Sequence, residues 1–570
     1  MALFFLLIFQ ARLHGQNLIK DTQAGIAPKT LGTATPNRVA EWLKAEHLQN
    51  APTAITLFDI TKQNQALDYQ AEVEEAVYLT LSKRQLAKLM EADAKTLSLT
   101  VPVAKNRSFQ LELAKVELVA EKFTVETSSG SNLTQEEIGG VFYRGIVKDN
   151  QRSIAALSVF PDHLQLIIAD RAGNYVLAPL PSEKAFDNKY VLYAEQDLIG
   201  REKSECKVEV VEEDFVGVEL KKFQSYEKSD DDRCLQVYLE CDFSLFNATG
   251  GTAIAAAQYV QSVFNVSATI YQNEGLAKEL SQIFVWTTED PFSGINFSGA
   301  ILDQFILSKN QTGFPGNYAH FLTARLGPQG IAAAFDCTLP FALTGFIIDR
   351  TGAFPTPSLD VSIFAHEMGH NMGSLHTHGC YWNSDTYGFG TQIDDCGNAN
   401  RVEAGFSSEG AGCVDDPFNP IIPEEGGTIM SYCDQSALSR TFPGTNFEFA
   451  FGPQPGEIIR MNYNNPPDGC TNLNELQANL NCTEIGSVFA VDDLIALEDI
   501  RVENQGDFPI GASNLGITYI STPSLEKGII KKRLSLVELS KYGSAANVRL
   551  CCTQNLQSTQ RARAHAALQI

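Results

Sequence analysis

DVSIFAHEMGHNMGSLH, residues Asp360 to His376, contains the spacing H-E-x-x-H-x-x-G-x-x-H. Val361, Phe364, Ala365, Met368 and Met372 recur at helical intervals, which predicts an amphipathic helix with one face in the core. His366 and His370, four apart, then project from one side of that helix, about 5–6 Å apart at Cβ, a separation that suits two imidazoles on one zinc ion. Glu367 sits about 100° further round, so its carboxylate reaches a zinc-activated water without ligating. Gly373 supplies a residue able to take positive φ, which ends the helix and turns the chain so that His376 becomes the third ligand. Three neutral imidazoles leave a fourth position open, the mark of a catalytic zinc site rather than a closed structural one.

A core helix with incidental histidines is the competing reading. With 9 His and 42 Gly in 570 residues, the pattern arises by chance with odds of roughly one in a hundred thousand. Some fifty residues downstream lies GGTIMSYC, Gly426 to Cys433. On these two elements the chain resembles the metzincin metalloproteases, in which the extended zinc motif is followed by a methionine-containing turn; Met430 would be that methionine. Within the metzincins it is most similar to the reprolysin (adamalysin) family. FYRGIVKDNQRSIAALSVF, Phe142 to Phe160, resembles that family's β-rich propeptide, and RCLQVYLECDFSLF, Arg233 to Phe246, its first catalytic strand. HTHGCYW, His376 to Trp382, and FGPQPGEIIR, Phe451 to Arg460, look more like the exported bacterial members.

The resemblance implies an α/β catalytic domain with a disulfide-rich lower part, one catalytic zinc, and protein or peptide substrates. It also implies a zymogen, in which the thiolate of Cys206 fills the fourth zinc position; a disulfide partner or an inert thiol is the alternative for that cysteine. Two departures stand out. Thr377 follows the third ligand where the family usually has Asp, and Gln236 stands where its first strand often has a calcium-binding Glu, so no calcium is assigned. His378 is set aside as a ligand because its spacing from His376 makes joint coordination awkward, and it is read as a surface or supporting histidine.

Outward from the motif, the chain divides by composition. An apolar run from Ala2 to Phe9 ahead of Arg12 and Gly15 reads as a signal peptide over 1–15, so the protein is expected to be secreted. Residues 16–226 alternate short apolar runs with turns and form the expected β-rich propeptide. EKSDDDR, Glu227 to Arg233, reads as an exposed connector. From 227 to 475, strand and helix patterns alternate: Cys234–Phe246 as strand, Ala253–Tyr271 as helix, Ser281–Thr287 as strand, Ser298–Asn310 as helix, Ala319–Leu326 as strand. A C-terminal immunoglobulin-like β-sandwich is expected over 483–555. It resembles CARDB-type adhesion modules through Ile500 to Thr522 and implies surface or matrix attachment, although the chain end departs from the pattern.

Eight of the 12 cysteines lie between Cys234 and Cys470 and read as a disulfide set of an oxidising compartment, with no readable pairing. The net charge of −25, from 43 Lys+Arg against 68 Asp+Glu, comes with no basic stripe, which excludes a nucleic-acid partner. No later segment is long and apolar enough for a transmembrane helix. Seven N-x-S/T sequons, Asn265 among them, receive no functional reading. Two rival functions remain: an adhesion protein with a protease-like scaffold, for which a lost Glu or His would be expected, and a pappalysin-like metzincin, against which the propeptide resemblance argues.

Overall fold

The computed structural model describes residues 37–61, 71–180, 188–199, 205–206, 234–327, 329–333, 339–346, 354–379, 382–384, 388–397, 422–433 and 444–464, and four short strands between 500 and 552. The apolar leader and the connector at Glu227–Arg233 lie outside these residues. The chain divides into two compact units, residues 1–485 and residues 486–570.

The first unit opens with helix α1 (Arg38–Gln49) and strands β1 (Thr53–Thr56), β2 (Phe58–Ile60) and β3 (Ala76–Leu81), then α2 (Lys83–Ala92). Strands β4 (Thr96–Ala104), β5 (Arg107–Val116), β6 (Val119–Thr127) and β7 (Asn132–Leu133) follow, then α3 (Gln135–Ile138). β8 (Val141–Val147), β9 (Ile154–Val159), β10 (Leu164–Asp170), β11 (Gly173–Pro179) and β12 (Lys189–Ala194) complete this run. Ten of these strands form one sheet in the order β1-β4-β5-β8-β9-β10-β11-β12-β3-β2. β4, TLSLTVPVA, alternates buried and half-buried positions, as a strand with one covered face should. In β9 all six residues are buried. Ala155, Leu157 and Val159 join the core with Leu99, Leu111 and Leu166, while Ser158, on the opposite face, meets the next helix layer. The continuous apolar run of β9 therefore records a sheet covered on both sides.

Strand β13 (Glu205–Cys206) leads to the predicted α/β region: β14 (Leu235–Cys241), α4 (Phe243–Ala248), α5 (Ala253–Asn273), β15 (Lys278–Val285), α6 (Ser298–Thr312), β16 (Tyr318–Thr323), β17 (Gln329–Ala332), β18 (Phe341–Gly345) and α7 (Pro357–Asn371). The strand read through to Phe246 stops at Cys241, because the Asp242 carboxylate accepts from Leu245 N at 2.7 Å and caps α4. A small hairpin, β19 (Trp382–Ser384) with β20 (Gly388–Thr391), and helix α8 (Pro453–Asn464) close the unit.

The second sheet runs β13-β17-β18-β16-β14-β15-β6-β7. β15, β14, β16 and β18 run parallel to one another in that order, and β17 runs antiparallel to β18. Five strands of the predicted catalytic region are thus flanked on both edges by strands from the N-terminal segment, since β6 pairs in parallel with β15 and β13 in parallel with β17. α5 is buried along nearly its whole length between this sheet and β9. Asn265 lies on it fully buried, which removes that sequon as an acceptor site.

One expectation changes. Cys241 is a free thiol, buried on the central strand β14, not part of the disulfide set; burial raises its pKa further. Among the described cysteines Cys396 bonds Cys433, and Cys234 is also disulfide-bonded. The second unit contains, among its described residues, one antiparallel four-stranded sheet, β22-β23-β21-β24, formed by β21 (Ile500–Asn504), β22 (Tyr519–Ser521), β23 (Lys527–Ile530) and β24 (Val548–Cys552). No described helix is long and apolar enough to cross a membrane.

Candidate metal centre

α7 starts with Pro357 in its first turn, where a missing N–H costs nothing. The expected amphipathic helix is instead buried all round, every residue except Leu359 being inaccessible, because α5 packs on one side and β17 and β18 on another. It ends as the glycine requires: Gly373 takes φ +90°. Its N–H reaches His370 O at 2.7 Å, and Ser374 N reaches Gly369 O at 3.0 Å. These two bonds form a Schellman stop. A Cβ at Gly373 would collide with Asn462 of α8, whose amide donates to Met372 O at 2.8 Å.

The stop also orients a ligand. His370 Nδ1 lies 2.8 Å from Ser374 O, on the returning chain, and His366 Nδ1 lies 2.7 Å from Ile429 O. A carbonyl only accepts, so both imidazoles carry their proton on Nδ1 and turn the Nε2 lone pair inward. His366 Nε2 then sits 3.0 Å from His370 Nε2, which sits 3.1 Å from His376 Nε2. Lone pairs brought this close repel one another unless a cation lies between them. Nitrogens bonded to zinc at about 2.0–2.1 Å in tetrahedral array approach one another to similar distances. The donor set fits zinc, and these three histidines form one of the groups of potential metal ligands among the described residues. The other, Asp394 with Cys396 and Cys433, is spoken for, since its two sulfurs are joined in a disulfide.

Glu367 is fully buried and faces β17. A Cβ on Gly330 of β17 would strike its carboxylate, so only glycine leaves room there. Gly330 is also the register partner of Cys206. The sequence-predicted latency cysteine is therefore placed, by its backbone, next to the strand that backs Glu367.

Met430 is fully buried beneath the site. A Cβ at Gly369 would meet its Sδ at 2.7 Å, which explains the glycine between Met368 and His370. Thr377 donates its N–H to Met430 O at 3.1 Å and so ties the chain after His376 to the turn that carries Met430. The Cys396–Cys433 disulfide spans 37 residues of sequence and anchors the same turn; closing such a loop is worth about 4 kcal/mol in the chain-entropy account.

The sequence reading missed several supports. Tyr432 Oη lies 3.1 Å from His376 Nε2, and Trp382 Nε1 donates to His376 O at 2.8 Å. His378 is buried rather than at the surface, its ring stacked on that of His376 at 4.9 Å. Asp394, buried and hydrogen-bonded by Thr377, has its pKa pushed up to about 6 by that burial. A Tyr two residues past the methionine was the available signal, but its direction was not readable. Gln236 donates its amide to Glu279 Oε1 at 2.9 Å, and calcium stays unassigned.

Residues 231–442 match the model of Metallo-peptidase family M12, Reprolysin_5, a span that holds the whole histidine motif and the methionine turn. Among solved structures the chain is similar to metalloproteinase-II from Bacteroides fragilis, at 8% identity over 52% of this chain and 86% of that one, with a TM-score of 0.30. It is also similar to a chaperone–substrate complex, at 10% identity over 52% of this chain and 40% of that one, with a TM-score of 0.22. No curated protein sequence matches the chain.

Proposed function

We propose that this protein is an exported zinc endopeptidase, made as a latent precursor and acting on extracellular proteins. The observation that carries the reading is the convergence of three Nε2 lone pairs, two of them fixed by backbone carbonyls, with Glu367 on the next helical position. His366, His370 and His376 would hold the ion, which supplies Lewis acidity toward the scissile carbonyl and lowers the pKa of an attacking water toward about 7.

The chain's own residues do the rest. Glu367 accepts a proton from the attacking water and delivers it to the leaving amine nitrogen. Its burial strengthens that exchange by keeping bulk water away. The outer edge of β17 is where a peptide can add as a strand beside Glu367. That edge is held by Glu205 and Cys206, in register with Gln329 and Gly330. The placement supports latency: the segment covers the substrate edge and brings a thiol-bearing residue to the site. The disulfide at Cys396–Cys433 supports export, since such bonds persist in oxidising compartments. The C-terminal unit would serve attachment.

The test is Glu367→Gln. The ligands survive this change, so zinc content and fold should be unchanged while peptide hydrolysis falls by 10²–10⁴-fold, the usual share of general-base catalysis. Retention of more than about a tenth of the activity would remove Glu367 from the role of base.

A further inference from the structure

The N-terminal segment touches the catalytic domain in two distinct ways. One is the short strand at Glu205–Cys206, on the β17 edge beside Glu367. The other is a broad attachment elsewhere. The sheet order puts β13 and β6 on opposite edges, with β17, β18, β16, β14 and β15 between them. β6 is hydrogen-bonded along β15 from Leu280 to Val285, and the pairing continues past its ends through Leu280 N to Leu118 O at 2.9 Å and Ser128 N to Val285 O at 3.0 Å.

The second part of the attachment is α5. A helix whose sequence places Gln258, Gln261, Asn265, Thr269 and Gln272 at helical spacing should show those residues to water. Here all five are buried, and four of them are partnered by the N-terminal segment. Asn265 donates to Leu157 O and Ser158 Oγ, each at 3.2 Å, and accepts from Arg144 Nε at 3.1 Å. Arg144 also reaches Gln272 Oε1 at 3.1 Å, Gln258 donates to Ile138 O at 2.7 Å, and Gln261 donates to Gln135 Oε1 at 2.6 Å. Around these bonds the second face of the ten-stranded sheet, including Ile154, Ala156, Ile167 and Val176, is buried. A third patch of contacts joins Asn174 to Thr445 O and Phe447 N, and Tyr193 Oη to Pro355 O.

An interface that is apolar, hydrogen-bonded and extended by a shared sheet has the character of an obligate contact, and it is not changed by cutting a peptide bond outside it. Stripping it would expose apolar surface on both parts at once. We propose that residues 37–199 stay bound to the catalytic domain after the chain is cut in the connector, as a standing subunit of the active peptidase, and that activation withdraws only the strand at Glu205–Cys206. The α5 face and the β15 edge are thus a permanent docking surface for this chain's own N-terminal segment. This rests on the latency reading above, which it deepens.

The experiment places a site-specific protease sequence between Glu227 and Asp232 of the full chain, folds it and cuts it. In a Glu367→Gln background, which prevents self-processing, the two fragments should elute together at neutral pH at the mass of the intact chain and separate only in denaturant. An N-terminal fragment eluting alone, or a catalytic fragment precipitating without it, overturns the proposal. The same cut in the wild-type chain should leave peptide hydrolysis in the shared peak. A shared peak that is inactive until the N-terminal fragment is removed also overturns it. If the uncut wild-type chain is already as active as the cut one, the latency reading fails, an outcome separate from co-elution.

Discussion

Cys206 and Gly330 are register partners on parallel strands, and Gly330 is the position at which any side chain would strike the Glu367 carboxylate. The backbone at Cys206 and the Glu367 carboxylate are thus both neighbours of one glycine. Gly330→Ala should leave zinc content and overall fold in place while displacing Glu367. A catalytic group moved by about 1 Å costs roughly 10²-fold in rate. Peptide hydrolysis by the processed variant, measured beside metal content, checks this; activity within about threefold of wild type would refute the steric account.

Cys206→Ser tests the latency reading. A neutral hydroxyl is a far poorer zinc ligand than thiolate. The uncut variant should therefore cleave a short fluorogenic peptide at least about tenfold faster than the uncut wild-type chain. Full latency in the variant would mean that the backbone of the segment blocks the cleft unaided.

Gly369→Ala pits two effects against each other. Alanine favours a helix interior over glycine by about 1 kcal/mol. Here the new Cβ would stand 2.7 Å from Met430 Sδ and 2.9 Å from Phe451 Cε1, and overpacking of this kind costs about 1–3 kcal/mol. The variant should unfold at lower temperature than wild type. A raised Tm would show that the methionine turn yields without cost.

Glu448 gives a pH signature. Burial, reinforced by Asp170 and Glu425 and opposed by Arg152, pushes its carboxyl up to about 7 in the folded chain, from an ordinary value of 4.5. The native state then holds this proton more tightly than the unfolded state does. The contribution of this group to stability is therefore fully present below about pH 4.5 and is lost as pH rises through about 7. Glu448→Gln removes the buried charge and should add about 1–3 kcal/mol at pH 8, less the small worth of its ion pair with the half-exposed Arg152. The gain should vanish near pH 4.5. Urea titrations at the two pH values measure it, and an equal effect at both would exclude the carboxylate as the cause.

Much of the centre was determined by the sequence alone. His366, Glu367 and His370 lie within about one helical turn of one another, so their mutual placement follows from helix geometry whatever surrounds them, and Gly373 supplies the positive φ that brings His376 back. The alternation of β14, α5, β15, α6, β16 and α7 was legible for the same reason, since each period is a local property of the chain, while α4, β17 and β18 were not read. What only the tertiary structure decided involves partners far apart in sequence. The polar stripe of α5 reads as a face toward water; it is buried because Arg144, 121 residues from Asn265, arrives to bond it. β15 reads as a strand with no partner named; its neighbour β6 comes from the N-terminal segment. Gly330, Tyr432 and His378 carry no periodic signal, because their roles depend on which side chains meet them across loops. Periodicity records the direction in which a residue points, and it is folding that decides what stands in that direction.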